Sequence, residues 1–169
     1  LLADAKAVVI PAVGPKLSPD LFEGSSVKLV QVTGAGVDRL DGAAMKRLGI
    51  AVANVAGGSN TALAEYTVSL ALVLMRRFAW ADAEIKKGNY VDYRKQMISE
   101  NLTGLEDMTI GVVGLGSIGL AVATAFHRMG SSIVYYDPAL KNATDADQIS
   151  ALSLPLEDVL KLSDVVTLH

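Results

Sequence analysis

The sequence predicts an α/β chain built on parallel sheets, and three observations carry the prediction. Short apolar runs alternate with helical patterns along the 169 residues. A mostly β-branched run, Thr109 to Val113, gives way to Gly114-Leu-Gly116-Ser-Ile-Gly119 and then to a helical stripe. An acidic residue, Asp137, closes the next apolar run, 18 positions after Gly119. That layout is the start of a doubly wound sheet, one mononucleotide-binding half, with Asp137 placed for a ribose.

The elements follow in order. Ala7 to Ile10, Lys28 to Val32 and Ile50 to Asn54 read as short buried strands. A Pro-rich loop with a short helix lies between Pro11 and Gly24, and a helix over Asp38 to Leu48 ends at Gly49. The polar, glycine-rich break from Ala56 to Thr61 reads as a hinge and an N-cap. A long helix follows, with Leu63, Tyr66, Leu70, Val73 and Leu74 apolar at helical spacing. Phe78 to Lys87 extends this pattern, and Gly88 to Leu105, polar with few periodic cues, is expected to hold loops and a short helix. Beyond the glycines, Ile118, Val122, Ala125, Phe126 and Met129 make one helix face, stopped by Gly130. Ser132 to Tyr136 is the next strand, Pro138 to Ser153 a polar connection, Pro155 to Lys161 a helix with Pro in its first turn, and Asp164 to Leu168 the last strand.

The glycines carry the chemistry. Gly114 permits the tight turn, Gly116 lets the backbone approach phosphates, and Gly119 lets helix and strand pack closely. The N–H groups of Ser117 and Ile118 then face an anion along the helix dipole. A carboxylate at Asp137 accepts ribose hydroxyls and repels a 2′-phosphate; with no Arg or Lys before Lys141, NAD is favoured over NADP. Two alternatives stand beside this reading: a glycine-rich turn that binds nothing, and the G-x-G-x-G loop of a methyltransferase.

Composition narrows the classes. The chain is 51% apolar and 20% charged, enough for one domain or two small ones. Its net charge of −3, with basic residues scattered and doublets only at Arg76-Arg77 and Lys86-Lys87, argues against a nucleic-acid partner. Without cysteine there is neither a disulfide framework nor a thiolate metal site, and two histidines make no zinc centre, so no metal is expected. The longest apolar run, Leu70 to Met75, is far too short for a bilayer, and the expectation is a soluble, cytoplasmic protein. A start at Leu1-Leu2 without Met, and a sheet that stops at His169 after one half, read as the front part of a longer protein.

Several motifs in order resemble the D-isomer-specific 2-hydroxyacid dehydrogenases: Thr33-Gly-Ala-Gly-Val-Asp38 with Leu40-Asp41, Gly49 to Asn54, Leu63-Ala-Glu65, Gly111 to Gly119, and Ser163 to His169. The resemblance implies part of a flavodoxin-like substrate domain at residues 1–60 and part of a Rossmann-type NAD-binding domain at 61–169. It implies an NAD-dependent oxidoreductase that interconverts a D-2-hydroxy acid and its 2-keto acid by hydride transfer, acting as a homodimer through the long helix and the arm after it. Cofactor contacts are expected at Gly114, Gly116, Ser117, Ile118 and Gly119, at Tyr136, Asp137 and Pro138, at Leu168 and His169, and at Leu63 against the nicotinamide. The Ala35-Gly36 turn is expected to offer its amides to the substrate carboxylate, as successive turn amides form an anion-binding nest. No catalytic residue is expected within the chain: the family's Arg, Glu and His would follow residue 169, and Glu65 and His127 are read as structural. Ser59 and Asn60 stand in reverse order to the family's hinge pair, and Asp107-Met108 replaces a frequent Gly-Lys. The alternative that the resemblance leaves open is an NAD-sensing, dimerising interaction module of the corepressor type, with little turnover.

Overall fold

The β-branched run at Thr109–Val113 forms the centre of a four-stranded parallel sheet, in a computed structural model that describes residues 2–140 and 144–169. The chain divides into two units, one reaching to Ser59 and the other spanning residues 60–169.

In the first unit, strands β1 (Ala7–Ile10), β2 (Leu29–Val32) and β3 (Ala51–Ala53) pair in parallel in the order β1-β2-β3. Val30 and Val32 on β2 join Ile10, Phe22, Val27, Ala44, Met45 and Ile50 in the core. The strands are half-buried instead of fully covered: Val9 is 67% exposed, because only one face of this three-stranded sheet carries the packed residues. The short helix of the Pro-rich loop is a 3-10 turn, Pro19–Leu21. Helix α1 (Gly42–Arg47) starts later than its pattern suggested. The Asp41 carboxylate accepts the Ala44 N–H at 2.9 Å and caps the helix there, leaving residues 37–40 as a turn closed from Leu40 N–H to the Val37 carbonyl.

In the second unit, α2 (Asn60–Met75) is the long helix. Its buried residues are Ala64, Val68 and Ala71, so the stripe of Leu63, Tyr66, Leu70, Val73 and Leu74 faces outward instead of into the core. A helix that is apolar on both faces gives no periodic signal to choose between them; the face with Ala64, Val68 and Ala71, flanked by Leu72 and Met75, is the one that packs. Arg77, in the left-handed region at φ 51°, breaks the chain between α2 and α3 (Phe78–Lys86). Helix α4 (Tyr90–Ser99) is longer than expected and buries Tyr93 alone, which meets Trp80 of α3 edge to face at 4.7 Å. One buried residue in ten leaves no period to read.

Strand β4 (Thr109–Val113) then pairs with β5 (Ser132–Tyr136) on one side and with β7 (Val165–Leu168) on the other. A fourth strand, β6 (Leu152–Ser153), extends the sheet at the β5 edge, giving the order β6-β5-β4-β7. The sequence reading placed it in a polar connection, since two residues are too few to show alternation. That connection also holds α6 (Thr144–Asp147), and its residues 141–143 lie outside the described residues. Helix α7 (Leu156–Leu162) follows. Helix α5 (Ser117–Arg128) packs Val122, Ala123 and Phe126, all fully buried, against the sheet and α2, while Met129 at its end stays 44% exposed.

Phe126→Ala is therefore expected to cost about 3–5 kcal/mol of stability in urea unfolding. Met129→Ala, from the same predicted stripe, should cost less than about 1 kcal/mol.

Candidate cofactor site

The site grows out of the carboxyl end of β4. Gly114 turns the chain at φ 89°, a conformation that side chains resist, and its N–H donates to the Tyr136 carbonyl at 2.8 Å. Gly119 lies so close to the turn that a Cβ there would stand 1.9 Å from the Gly114 carbonyl oxygen. Only glycine allows α5 to begin this near β4. Gly116 is the N-cap of α5 and has no side chain to cap it; a Cβ at Gly116 would meet nothing within 4 Å. The amides of Gly116, Ser117 and Ile118 donate to no protein group among the described residues, and the first helical bond runs from Leu120 N–H to the Gly116 carbonyl. Bare donors at a helix start, facing open space, suit an anion.

Asp137 closes the site from β5. One carboxylate oxygen, Oδ2, accepts the Leu115 N–H at 2.8 Å; the other, Oδ1, accepts Ala139 N–H at 2.8 Å and Leu140 N–H at 3.1 Å. The Ala139 and Leu115 amides hold the carboxyl below its ordinary range; desolvation opposes them and Leu140 adds to them. Sequence reasoning gave Asp137 a ribose and missed these backbone bonds. The bond to Leu115 crosses 22 residues and has no local sequence signal.

The remaining residues fall around this core. Tyr136 ends β5 and supplies the carbonyl for Gly114, and Pro138 is exposed just after Asp137. Leu168 pairs in register with Val113 and is 76% exposed, and His169 N–H donates to the Val113 carbonyl at 2.9 Å. The ends of β4, β5 and β7 therefore meet at one edge, the edge where open α/β sheets take ligands. Burial pulls the His169 imidazole below its ordinary pKa, toward the neutral form, and its Nε2 lies 2.9 Å from Thr167 Oγ1. The Asn60 amide at the start of α2 donates to the Ser117 carbonyl at 3.1 Å, a tie that sequence reasoning also missed. Leu63, three residues on, lies on the outward face of α2 and is 37% exposed. Among the described residues no group of His, Cys, Asp or Glu is arranged to hold a metal.

Ala35 and Gly36 belong to the first unit, in the turn after β2. Asn54 donates its side-chain amide to the Ala35 carbonyl at 2.7 Å, and Val55 N–H donates to the Gly34 carbonyl at 3.0 Å. With its carbonyls tied back, the turn leaves the Ala35 and Gly36 N–H groups without a protein acceptor among the described residues.

Residues 68–169, more than half of the chain, match the family model described as D-isomer specific 2-hydroxyacid dehydrogenase, NAD binding domain. The chain belongs to this family. It is 31% identical over 169 residues to D-3-phosphoglycerate dehydrogenase of Homo sapiens, which covers 99% of this chain and 30% of that protein. Apo D-mandelate dehydrogenase of Rhodotorula graminis superposes with a TM-score of 0.82 at 26% identity, over 98% of this chain and 51% of that one. D-lactate dehydrogenase of Aquifex aeolicus, solved with NAD and lactic acid, gives 0.79 at 27% identity, over 99% and 49%. The chain thus spans about a third of the length of the curated relatives it matches and about half of the solved ones. As a member of this dehydrogenase family the second unit is a Rossmann-type NAD-binding fold, and its uncapped loop and open Gly116 fit the diphosphate of that cofactor.

Two outcomes check this geometry. Because the folded state holds Asp137 below its ordinary pKa, its contribution to stability is present above about pH 4 and is lost as pH falls through the lower folded value. Asp137→Asn should therefore flatten the acid limb of a stability-against-pH curve below pH of about 4 relative to the native protein. Asn54→Asp sets two acceptors against each other at the Ala35 carbonyl and should cost about 1 kcal/mol or more in urea unfolding.

Proposed function

We propose that this chain is the front part of an NAD-dependent oxidoreductase that interconverts a D-2-hydroxy acid and its 2-keto acid, with residues 1–60 in the substrate domain and 61–169 in the NAD domain. The observation that carries the reading is the edge where β4, β5 and β7 end: the amides of Gly116, Ser117 and Ile118 have no acceptor among the described residues, a Cβ at Gly116 would meet open space, and the adjoining Leu115 N–H is held by the Asp137 carboxylate. The diphosphate would rest on those amides, between Gly114 and Gly119. The adenosine ribose would face Asp137 between Tyr136 and Pro138. Leu168, His169 and Leu63 would line the path toward the nicotinamide. When bound, the cofactor supplies a hydride acceptor at its nicotinamide ring.

The free amides of Ala35 and Gly36 would hold the substrate carboxylate. D-3-phosphoglycerate, D-mandelate and D-lactate, the substrates in the names of the relatives, share a carboxylate beside a hydroxyl-bearing carbon and differ in the third substituent. A backbone nest reads only the shared part, which supports the substrate class and leaves the individual acid open. Proton transfer would fall to residues outside this chain. Among the described residues no helix is long and apolar enough to cross a membrane. The setting proposed for this reaction is the cytoplasm.

The outward face of α2, with Tyr66 62% and Leu74 76% exposed, supports a homodimer. Light scattering of the full-length protein is expected to give twice the monomer mass, with Tyr66→Asp and Leu74→Asp together shifting it to the monomer. Full-length protein should consume NADH with hydroxypyruvate, glyoxylate or a related keto acid, followed by absorbance. Binding and dimerisation on NAD without turnover across a broad keto-acid panel would leave a cofactor sensor instead of an enzyme. Calorimetry showing no uptake of NAD by the folded protein would remove both.

A further inference from the structure

We propose that Asp137 is a positioning residue for the glycine loop itself, holding Leu115 so that the amides after it face outward before any cofactor arrives. The inference rests on reading that loop as the cofactor cradle, and it concerns how the cradle is built.

The geometry begins with the count of lone pairs. An ionised carboxylate offers about four acceptor positions. Three are taken by the backbone amides of Leu115, Ala139 and Leu140. A residue whose only task was to grip two ribose hydroxyls would keep more of its capacity free. Leu115 is also the hinge point of the loop. It follows Gly114 and precedes the N-cap Gly116, and its side chain is 3% exposed within the core. Side chain and amide are thus both fixed, the first by packing and the second by Asp137. With Gly114 N–H on the Tyr136 carbonyl, the end of β5 holds two successive loop amides. The amides that follow, from Gly116 to Ile118, find no acceptor among the described residues.

The consequence concerns cofactor choice. If Asp137 served the ribose alone, Asp137→Ala would weaken NAD and strengthen NADP, since it removes the charge that repels the 2′-phosphate. If Asp137 sets the loop, the same substitution releases Leu115 N–H and loosens the amides that hold the diphosphate common to both cofactors. Removing a negative charge near a diphosphate should by itself favour binding. A loss for both cofactors therefore runs against the charge change, and faster exchange of the loop without cofactor assigns that loss to the geometry and not to a missing ribose contact.

The test uses the full-length protein and two readouts. Without cofactor, hydrogen exchange of the peptide spanning residues 113–120 should be about tenfold faster in Asp137→Ala, as expected for losing a hydrogen bond to a charged group. By calorimetry, NAD and NADP should both bind several-fold more weakly than to the native protein. Asp137→Asn, which keeps the volume and one carbonyl oxygen, should fall between, since that oxygen serves Leu115 or the Ala139–Leu140 pair but not both. If the alanine variant does not fold, the asparagine variant carries both measurements. Unchanged exchange of the loop, or tighter NADP binding by the alanine variant, overturns the proposal. Native protein that takes up no NAD would instead refute the proposed function, and the exchange comparison would still report on the loop.

Discussion

The approach of α5 to the end of β4 is the constraint on which the site depends. A helix whose start would leave a Cβ at Gly119 only 1.9 Å from the Gly114 carbonyl oxygen cannot carry a side chain there, and the turn before it takes the left-handed region at Gly114. These two demands fix the direction of the helix axis. The buried face of α5, Val122, Ala123 and Phe126, then holds that direction from the other end. The N-terminal amides are left with no side-chain cap, an arrangement that stays favourable only where an anion or water completes it. Packing thus creates the binding site as a by-product of close contact, and the core and the bond from Leu115 N–H to Asp137 together hold the loop.

The second unit was legible in the sequence where its residues are fully buried and its turns need glycine. Strand β4, the loop, α5 and β5 stand where the pattern put them, because burial on both faces produces a continuous apolar run and glycine marks each forced turn. Legibility failed where burial is partial or the contact is long-range. Helix α4 buries only Tyr93, and β6 pairs through two residues at an edge. Helix α1 was displaced because Asp38 and Asp41 are both good caps by residue type, and only the bond from Ala44 N–H to Asp41 separates them. At the site, residue type alone marked Gly114, Gly116, Gly119 and Asp137. The ties from Asn54 to Ala35 and from Asn60 to Ser117 join residues 19 and 57 positions apart, beyond the reach of any local pattern.

Both candidate anion sites follow the same physical plan. At Ala35-Gly36 and at Gly116 to Ile118 the chain turns at the carboxyl end of a parallel strand, and neighbouring strands tie back the carbonyl or the first amide. What remains is a set of N–H groups with no protein acceptor among the described residues. Backbone donors cost no side-chain entropy when a ligand arrives, so a site of this kind is organised in advance. It also recognises charge and shape without reading the rest of the ligand. A fold that held a diphosphate and a carboxylate in this way would leave identity to side chains elsewhere.

Helix α2 shows how the same economy bears on assembly. A surface helix ordinarily turns its large apolar residues inward and its small or polar ones outward. Here Ala64 and Ala71 lie against the core while Tyr66, Leu70 and Leu74 face out. The small inward residues let α2 lie close beside α5, and the Asn60 bond to the Ser117 carbonyl joins the two helix starts. A surface for a second copy would therefore be built on the helix that supports the glycine loop. The bulky residues serve packing only when something lies over them, and the small ones serve it already. Val68, Leu72 and Met75 lie on the core side with the two alanines, so α2 carries apolar residues on both faces, as a helix shared between two hydrophobic contacts would.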